Sequence, residues 1–264
     1  MTAVTATLRQ SWVITLRDLK HWQREPWTPV FSVLFSVMLV LMFGYLLGGA
    51  IEVPGAGDDY LSYLLPGIFA LSMMFGIEAT MTAVANDSKK GVTDRFRSLP
   101  ISGAAVPLGR AGADLLNSAV ELAVLLAGGL LIGWRATGGA GGALLAVGLL
   151  LWFRFAMLVV GVFLGLTIRG EGGVTAVQVL VWPAAFLSNA FVAPESMPAW
   201  LGVLAEWSPL SATAAACREL FGNPTGATGG LLADHAVLPA VLWPAVLVAV
   251  FTPLTARAYR RLSR

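Results

Sequence analysis

The chain has 264 residues, of which 57% are hydrophobic and 12% charged, with a formal net charge of +2. A soluble domain carries about 25% charged residues to keep its surface hydrated, so half that share excludes a soluble globular fold and marks an all-α polytopic membrane protein. The near-neutral balance excludes a nucleic-acid binder. A lone Cys217 with two histidines, His21 and His235, excludes a disulfide framework and leaves little for a metal site.

Residues 8–25 predict a basic amphipathic helix. Leu8, Trp12, Leu16, Leu19 and Trp22 recur every three or four positions and share one face, with Arg9, Arg17, Asp18, Lys20, His21 and Arg24 on the rest. Such a helix lies along the membrane surface, as a plain anchor or as a docking lever. Pro26 and Pro29 then turn the chain into the first of six apolar runs, each close to the roughly 20 residues that cross a hydrocarbon core. The expected spans are 29–51, 61–85, 111–134, 143–168, 174–192 and 236–256. Pro66, Pro183, Pro239, Pro244 and Pro253 fall inside them, which a membrane helix tolerates when neighbours satisfy the freed carbonyls. The first run is too long for a signal-peptide core, and no cleavage pattern precedes a soluble body, so no cleavable leader is expected.

Six crossings put both termini on one side with the loops at 86–110 and 168–173. That side collects 14 of the 17 lysines and arginines; the other holds Arg135 and Arg218, and Arg154 lies inside a span. This asymmetry makes both termini cytoplasmic. The loop at 86–103 carries more than charge. Lys90, Gly91, Asp94, Arg95, Phe96, Arg97, Leu99 and Pro100 form a short helical stretch in which apolar side chains stand among charges, as fits a groove on a partner protein. Across the membrane, Trp200, Leu201, Leu204 and Trp207 give residues 193–210 a near-helical apolar pattern, read as a re-entrant segment at the outer interface. No second domain is expected: residues 1–264 form one transmembrane domain.

Charges inside a bilayer are costly and face partners or water-filled cavities. Counted from the ends of the apolar runs, Glu121 and Arg154 both lie near the midplane and are expected to pair. Arg110 and Asp114, four apart at the cytoplasmic end of the third span, are expected to pair along one helix face. Glu78 has no cationic neighbour at its depth and is a candidate for the substrate path, where it would suit a cationic amphiphile. Met74 and Met81 line the same span and adapt to varied apolar ligands, although packing explains them equally well.

The six spans, the N-terminal amphipathic helix, the sequence Lys90-Gly-Val-Thr-Asp-Arg-Phe-Arg-Ser-Leu-Pro100 and the following Gly109-Arg-Ala-Gly-Ala-Asp114 resemble an ABC-2 type transporter permease. The resemblance is to the daunorubicin/doxorubicin-resistance exporter branch, and the outer stretch from Met197 to Arg218 is similar to that family's segment after its fifth span. The resemblance implies a dimer of permeases, identical or paralogous, driven by a separate pair of ATP-binding cassette subunits that hold ATP and Mg. It makes the loop around Asp94 the coupling helix and residues 8–25 the flanking elbow. The implied setting is a bacterial cytoplasmic membrane, and the implied cargo a hydrophobic or amphipathic compound. The chain has no Gly-rich loop followed by Lys-Ser/Thr and so no P-loop of its own. A gradient-driven secondary transporter or channel is the alternative, although no internal repeat is visible. A membrane enzyme fits less well, since no nucleophile has a plausible histidine base.

Overall fold

The computed structural model describes residues 12, 13, 15, 27–46, 60–89, 105–168, 170–226 and 235–261. Among these every regular element is helical. In chain order they are α1 (Trp27–Leu39), continued by a π-helical stretch (Val40–Leu46), α2 (Tyr60–Lys89), α3 (Ala105–Leu131), α4 (Gly139–Thr167) and α5 (Glu171–Phe186). A 3-10 turn (Pro194–Ser196) leads to α6 (Ala199–Glu206), α7 (Pro209–Phe221) and α8 (Val237–Arg261). Four helices are long and apolar enough to cross a membrane: α2, α3 from Ala111, α4, and α8 as far as Tyr259. The apolar stretches Val33–Leu46 and Gly172–Phe186 are shorter.

The expected spans fall on these helices with shifted ends. The helix α2 runs unbroken through Pro66, and α3 starts at Ala105 instead of 111. The fifth run is cut short. Its helix stops at Phe186, six residues before Val192, after passing through Pro183, and the chain then folds back. Leu187 N–H closes on the Pro183 carbonyl at 2.8 Å and Ser188 Oγ on that of Ala185 at 2.5 Å, so 187–193 is a turn.

The body is built around α2, whose Tyr63, Leu64, Phe69, Met73 and Met81 are fully buried. Against it lies α4. Two glycines one turn apart, Gly161 and Gly165, bring the helices together: a β-carbon at either would stand 2.9 Å from the Ile77 carbonyl or 2.7 Å from that of Met81. Small residues at this spacing let membrane helices approach closely. The far side of α4 receives α8, where Trp152 Nε1 donates to the Val241 carbonyl at 3.2 Å and Phe163 meets Phe251 edge-on at 5.4 Å. Near the Tyr60 end of α2, α7 packs across α2, α4 and α8 with Leu210 to Arg218 all buried. It ends in a left-handed Gly222 (φ 70°), with Asn223 N–H returning to the Arg218 carbonyl at 2.9 Å. Only glycine adopts that conformation without strain.

Of the expected interfacial helix, Trp12, Val13 and Thr15 are described and helical. Trp12 is exposed, while Thr15 is buried and donates to the Gly109 carbonyl at 2.8 Å, tying the segment to the start of α3. Leu16, Leu19 and Trp22 lie outside the described residues, as do Lys90, Gly91, Asp94, Arg95, Phe96, Arg97, Leu99 and Pro100.

Candidate functional site

Three polar clusters interrupt the apolar interior. The first belongs to Arg154, at mid-length on α4 and buried. Its Nε donates to Ser118 Oγ at 2.8 Å and its Nη2 to Thr80 Oγ1 at 3.2 Å, and it forms an ion pair with Asp114. One side chain thus ties α2, α3 and α4 together. The guanidinium lies over Gly76, where a β-carbon would overlap it.

This corrects the expected pairing of Arg154 with Glu121. Arg154 stands fifteen residues into α4, and the position fifteen residues before the end of α3 is 116. The arginine is therefore level with Asp114 and Ser118, one turn apart on one face of α3. Glu121 is about 7 Å nearer the connecting loop. The expected pair was placed from the edges of the apolar runs, and those edges are not the helix ends. Asp114 forms an ion pair with Arg154, and its other expected partner, Arg110, has its side chain outside the described residues.

The second cluster centres on Arg218, which the sequence placed among the outer-side charges. It is instead completely buried. Its Nε donates to the Tyr63 carbonyl at 2.8 Å, and its Nη2 to the carbonyls of Asn189 at 2.8 Å and Ala190 at 3.2 Å. The guanidinium also stacks 3.6 Å from the centre of the Tyr63 ring, the geometry of a cation–π contact. Tyr63 Oη and Tyr60 Oη donate in turn to the carbonyls of Asn189 at 2.8 Å and Phe191 at 2.7 Å. Pro66 lies in the same turn: it has no N–H for the Ser62 carbonyl, next to the Tyr63 carbonyl that Arg218 meets. Gly67 lets the 189–191 turn lie against α2, since a β-carbon there would strike the Ala190 carbonyl. The readable signal was a single cation in the small-residue run Ser211–Phe221, facing a proline-interrupted helix.

The same end of the molecule is tied to the α3–α4 connection. Trp134 Nε1 donates to Asn223 Oδ1 at 3.0 Å, and the N–H groups of Thr137 and Gly138 meet the Phe221 carbonyl at 2.7 and 2.9 Å. The short helix α6 rides outside this block. It buries Gly202 and Ala205 and exposes Trp200, Val203, Leu204 and Trp207.

The third cluster is on the uncovered face of α2. Glu78 is half-buried there, eleven residues before Lys89. Its Oε1 and the Oγ1 of Thr82 are both buried without a hydrogen-bond partner among the described residues. Met74 and Met81, expected on the same path, are 8% and 0% exposed. They face the packed interior with α4, so the packing reading accounts for them. Among the described residues no group of three or more His, Cys, Asp or Glu side chains is arranged to hold a metal ion.

Residues 9–221 match the ABC-2 type transporter family. The chain is 36% identical, over 98% of its length and 87% of the relative, to the daunorubicin resistance ABC transporter permease protein DrrB1 of Streptomyces coeruleorubidus. It is 25% identical, over 96% of its length and 89% of the relative, to the probable doxorubicin resistance ABC transporter permease protein DrrC of Mycobacterium tuberculosis.

Proposed function

Because the chain belongs to the ABC-2 type transporter family, we propose that it is the permease subunit of a drug exporter, moving a hydrophobic or amphipathic compound out of the cell. The observation that carries this reading is the near full-length likeness to a daunorubicin-resistance permease. The energy comes from ATP hydrolysed with Mg on a separate ATP-binding cassette subunit, since this sequence holds no P-loop. A second permease, identical or paralogous, completes the pathway.

In this reading α1 with its π-helical extension, α2, α3, α4, α5 and α8 are six crossings of a bacterial cytoplasmic membrane. The Lys89 end of α2 and both termini are cytoplasmic, as the distribution of basic residues supports. The loop at 86–103 docks the ATPase through Asp94, Phe96 and Arg97, flanked by Lys90, Gly91, Arg95, Leu99 and Pro100. Residues 8–25 lie beside it on the membrane surface. Helix α3 begins directly after that loop, and its Asp114 is held by Arg154, so a displaced loop pulls on α2 and α4 through one side chain. At the outer end α6 rests in the interface, where exposed tryptophan is favoured, and α7 re-enters the protein.

The test is to tag the protein in its native host, purify it in mild detergent and identify what accompanies it by mass spectrometry. A stoichiometric ATP-binding subunit is expected, lost when Asp94, Phe96 and Arg97 are replaced together by alanine. If none is recovered even after crosslinking in membranes, the ATP-driven reading fails and gradient-driven transport takes its place.

A further inference from the structure

Helix α8 has one face that the described residues leave uncovered. Its other side packs on α4 and α7, with Phe251 against Phe163 and Ala240 in the small-residue cluster of α7. On the open side Leu242, Val246 and Val250, four residues apart, are 51%, 50% and 48% exposed. That spacing draws a straight apolar stripe along the helix. Pro253 and Arg257 prolong it and are exposed as well.

The stripe ends in charge. Arg260, Arg261 and Arg264 follow Arg257 three, four and seven positions on, a spacing that keeps all four on one helical register. Neither α8 nor α4 contains an aspartate or glutamate. The acidic residue of α7, Glu219, belongs to a helix that meets α8 at Ala236 and Ala240, the opposite end. Arg257 stands twenty residues beyond Val237, a rise of about 30 Å that matches the roughly 30 Å hydrocarbon core. An upright crossing therefore brings it to the level of the lipid phosphates where the apolar stripe stops. Basic residues that only orient a span can stand anywhere around that boundary. Four on one face, in line with one exposed stripe, make a site with an apolar half and a cationic half.

We propose that this face of α8 binds an anionic phospholipid. An acyl chain lies along Leu242, Val246 and Val250, and the headgroup phosphate meets the arginine cluster that Arg257 begins. The planar guanidinium fork suits a phosphate, which it holds by two parallel hydrogen bonds, and basic clusters beside a span attract anionic headgroups. A zwitterionic lipid offers the same phosphate but brings its own cation against the cluster. The inference rests on α8 crossing the membrane and is independent of what the protein transports.

The test is native mass spectrometry of the delipidated permease, purified with whatever subunits accompany it. The protein is titrated with dioleoylphosphatidylglycerol and, in parallel, with dioleoylphosphatidylcholine, which has the same acyl chains. The first lipid adduct is expected to form at least fivefold more tightly with the anionic lipid. Arg257→Gln, Arg260→Gln and Arg261→Gln together should bring that ratio below twofold. Arg17→Gln, Lys20→Gln and Arg24→Gln together, which remove as much charge from the N-terminal segment, should leave it in place. Lysine at 257, 260 and 261 keeps the charge and retains the preference, which separates lost charge from lost fold. Excess inorganic phosphate is expected not to displace the lipid, since a free anion has no chain to lay on the stripe. A wild-type ratio below twofold, a ratio that survives glutamine at the three positions, an equal fall in the N-terminal variant, or displacement by phosphate overturns the site.

Discussion

At the scale of single residues, the interior charges divide by how they are satisfied. Arg218 is held by three carbonyls and an aromatic face, Arg154 by a carboxylate and two hydroxyls. Removing one partner of a buried ion pair leaves an uncompensated charge, at about 3–5 kcal/mol. Asp114→Leu and Arg154→Met singly are therefore expected to cut the yield of folded protein severalfold, whereas the double substitution restores most of it. If the restored double variant still transports, the pair is structural. If it folds and hydrolyses ATP with its partner yet does not transport, the pair carries motion from the loop. Yield and ATP-driven transport of the three variants decide this, and failure of the double variant to recover would refute pairwise compensation.

At the scale of elements, the glycines of α4 separate contact from propensity. Gly161 and Gly165 face α2 backbone, while Gly148 on the same helix has nothing within 4 Å of where its β-carbon would be. Gly148→Ala should leave the melting temperature unchanged or raise it, since alanine favours a helix by up to about 1 kcal/mol. Gly165→Ala should lower it by several degrees, because Val84 Cβ and the Met81 carbonyl, both 2.7 Å away, must move. A thermal-shift comparison in detergent reads the difference. Equal effects at 148 and 165 would mean that the α2–α4 contact is not close-packed.

These two helices also show how far the sequence could be read. Apolar runs located the helices, since burial in lipid demands them whatever the tertiary fold. Their ends were less legible. The termination of α5 at Phe186 depends on hydrogen bonds made by Leu187 and Ser188 after Pro183, not on hydropathy. The burial of Arg218 depends on Tyr63, 155 residues away, which no local pattern encodes. Glu78 was legible as a charge inside an apolar run, whereas the ring cluster of Phe35, Phe75 and Trp182 joins α1, α2 and α5 and needed the fold.

At the scale of the whole molecule, the proposed topology is open to chemical labelling because the native thiol is silent. Cys217 is fully buried, its Sγ pointing to the Ala146 carbonyl at 3.8 Å. Burial pushes that thiol up to about 12. The thiolate is the reactive form, so a pKa raised this far leaves it almost absent at any pH up to about 9. In intact cells a membrane-impermeant maleimide is expected not to label the wild-type protein between pH 7 and 9. Under the same conditions it should label Glu195→Cys, and Lys89→Cys only after permeabilisation. The reverse pattern at 195 and 89 would invert the assigned orientation, and labelling of Cys217 would contradict its burial.

The contact between Arg218 and Tyr63 also has a history in time. The ribosome makes the Tyr63 end of α2 first and reaches the guanidinium that meets its carbonyl 155 residues later. At roughly 5–20 residues per second that interval lasts about 8–30 s. Throughout it the Tyr63 carbonyl lacks its final partner, whereas the hydroxyls of Tyr63 and Tyr60 meet theirs earlier, once the turn at 189–191 is made. A nascent chain that stops short of α7 is therefore marked as unfinished by its own exposed polar groups. Completion of α7 closes the Tyr60 end of α2, and α8 then packs onto α4 and α7.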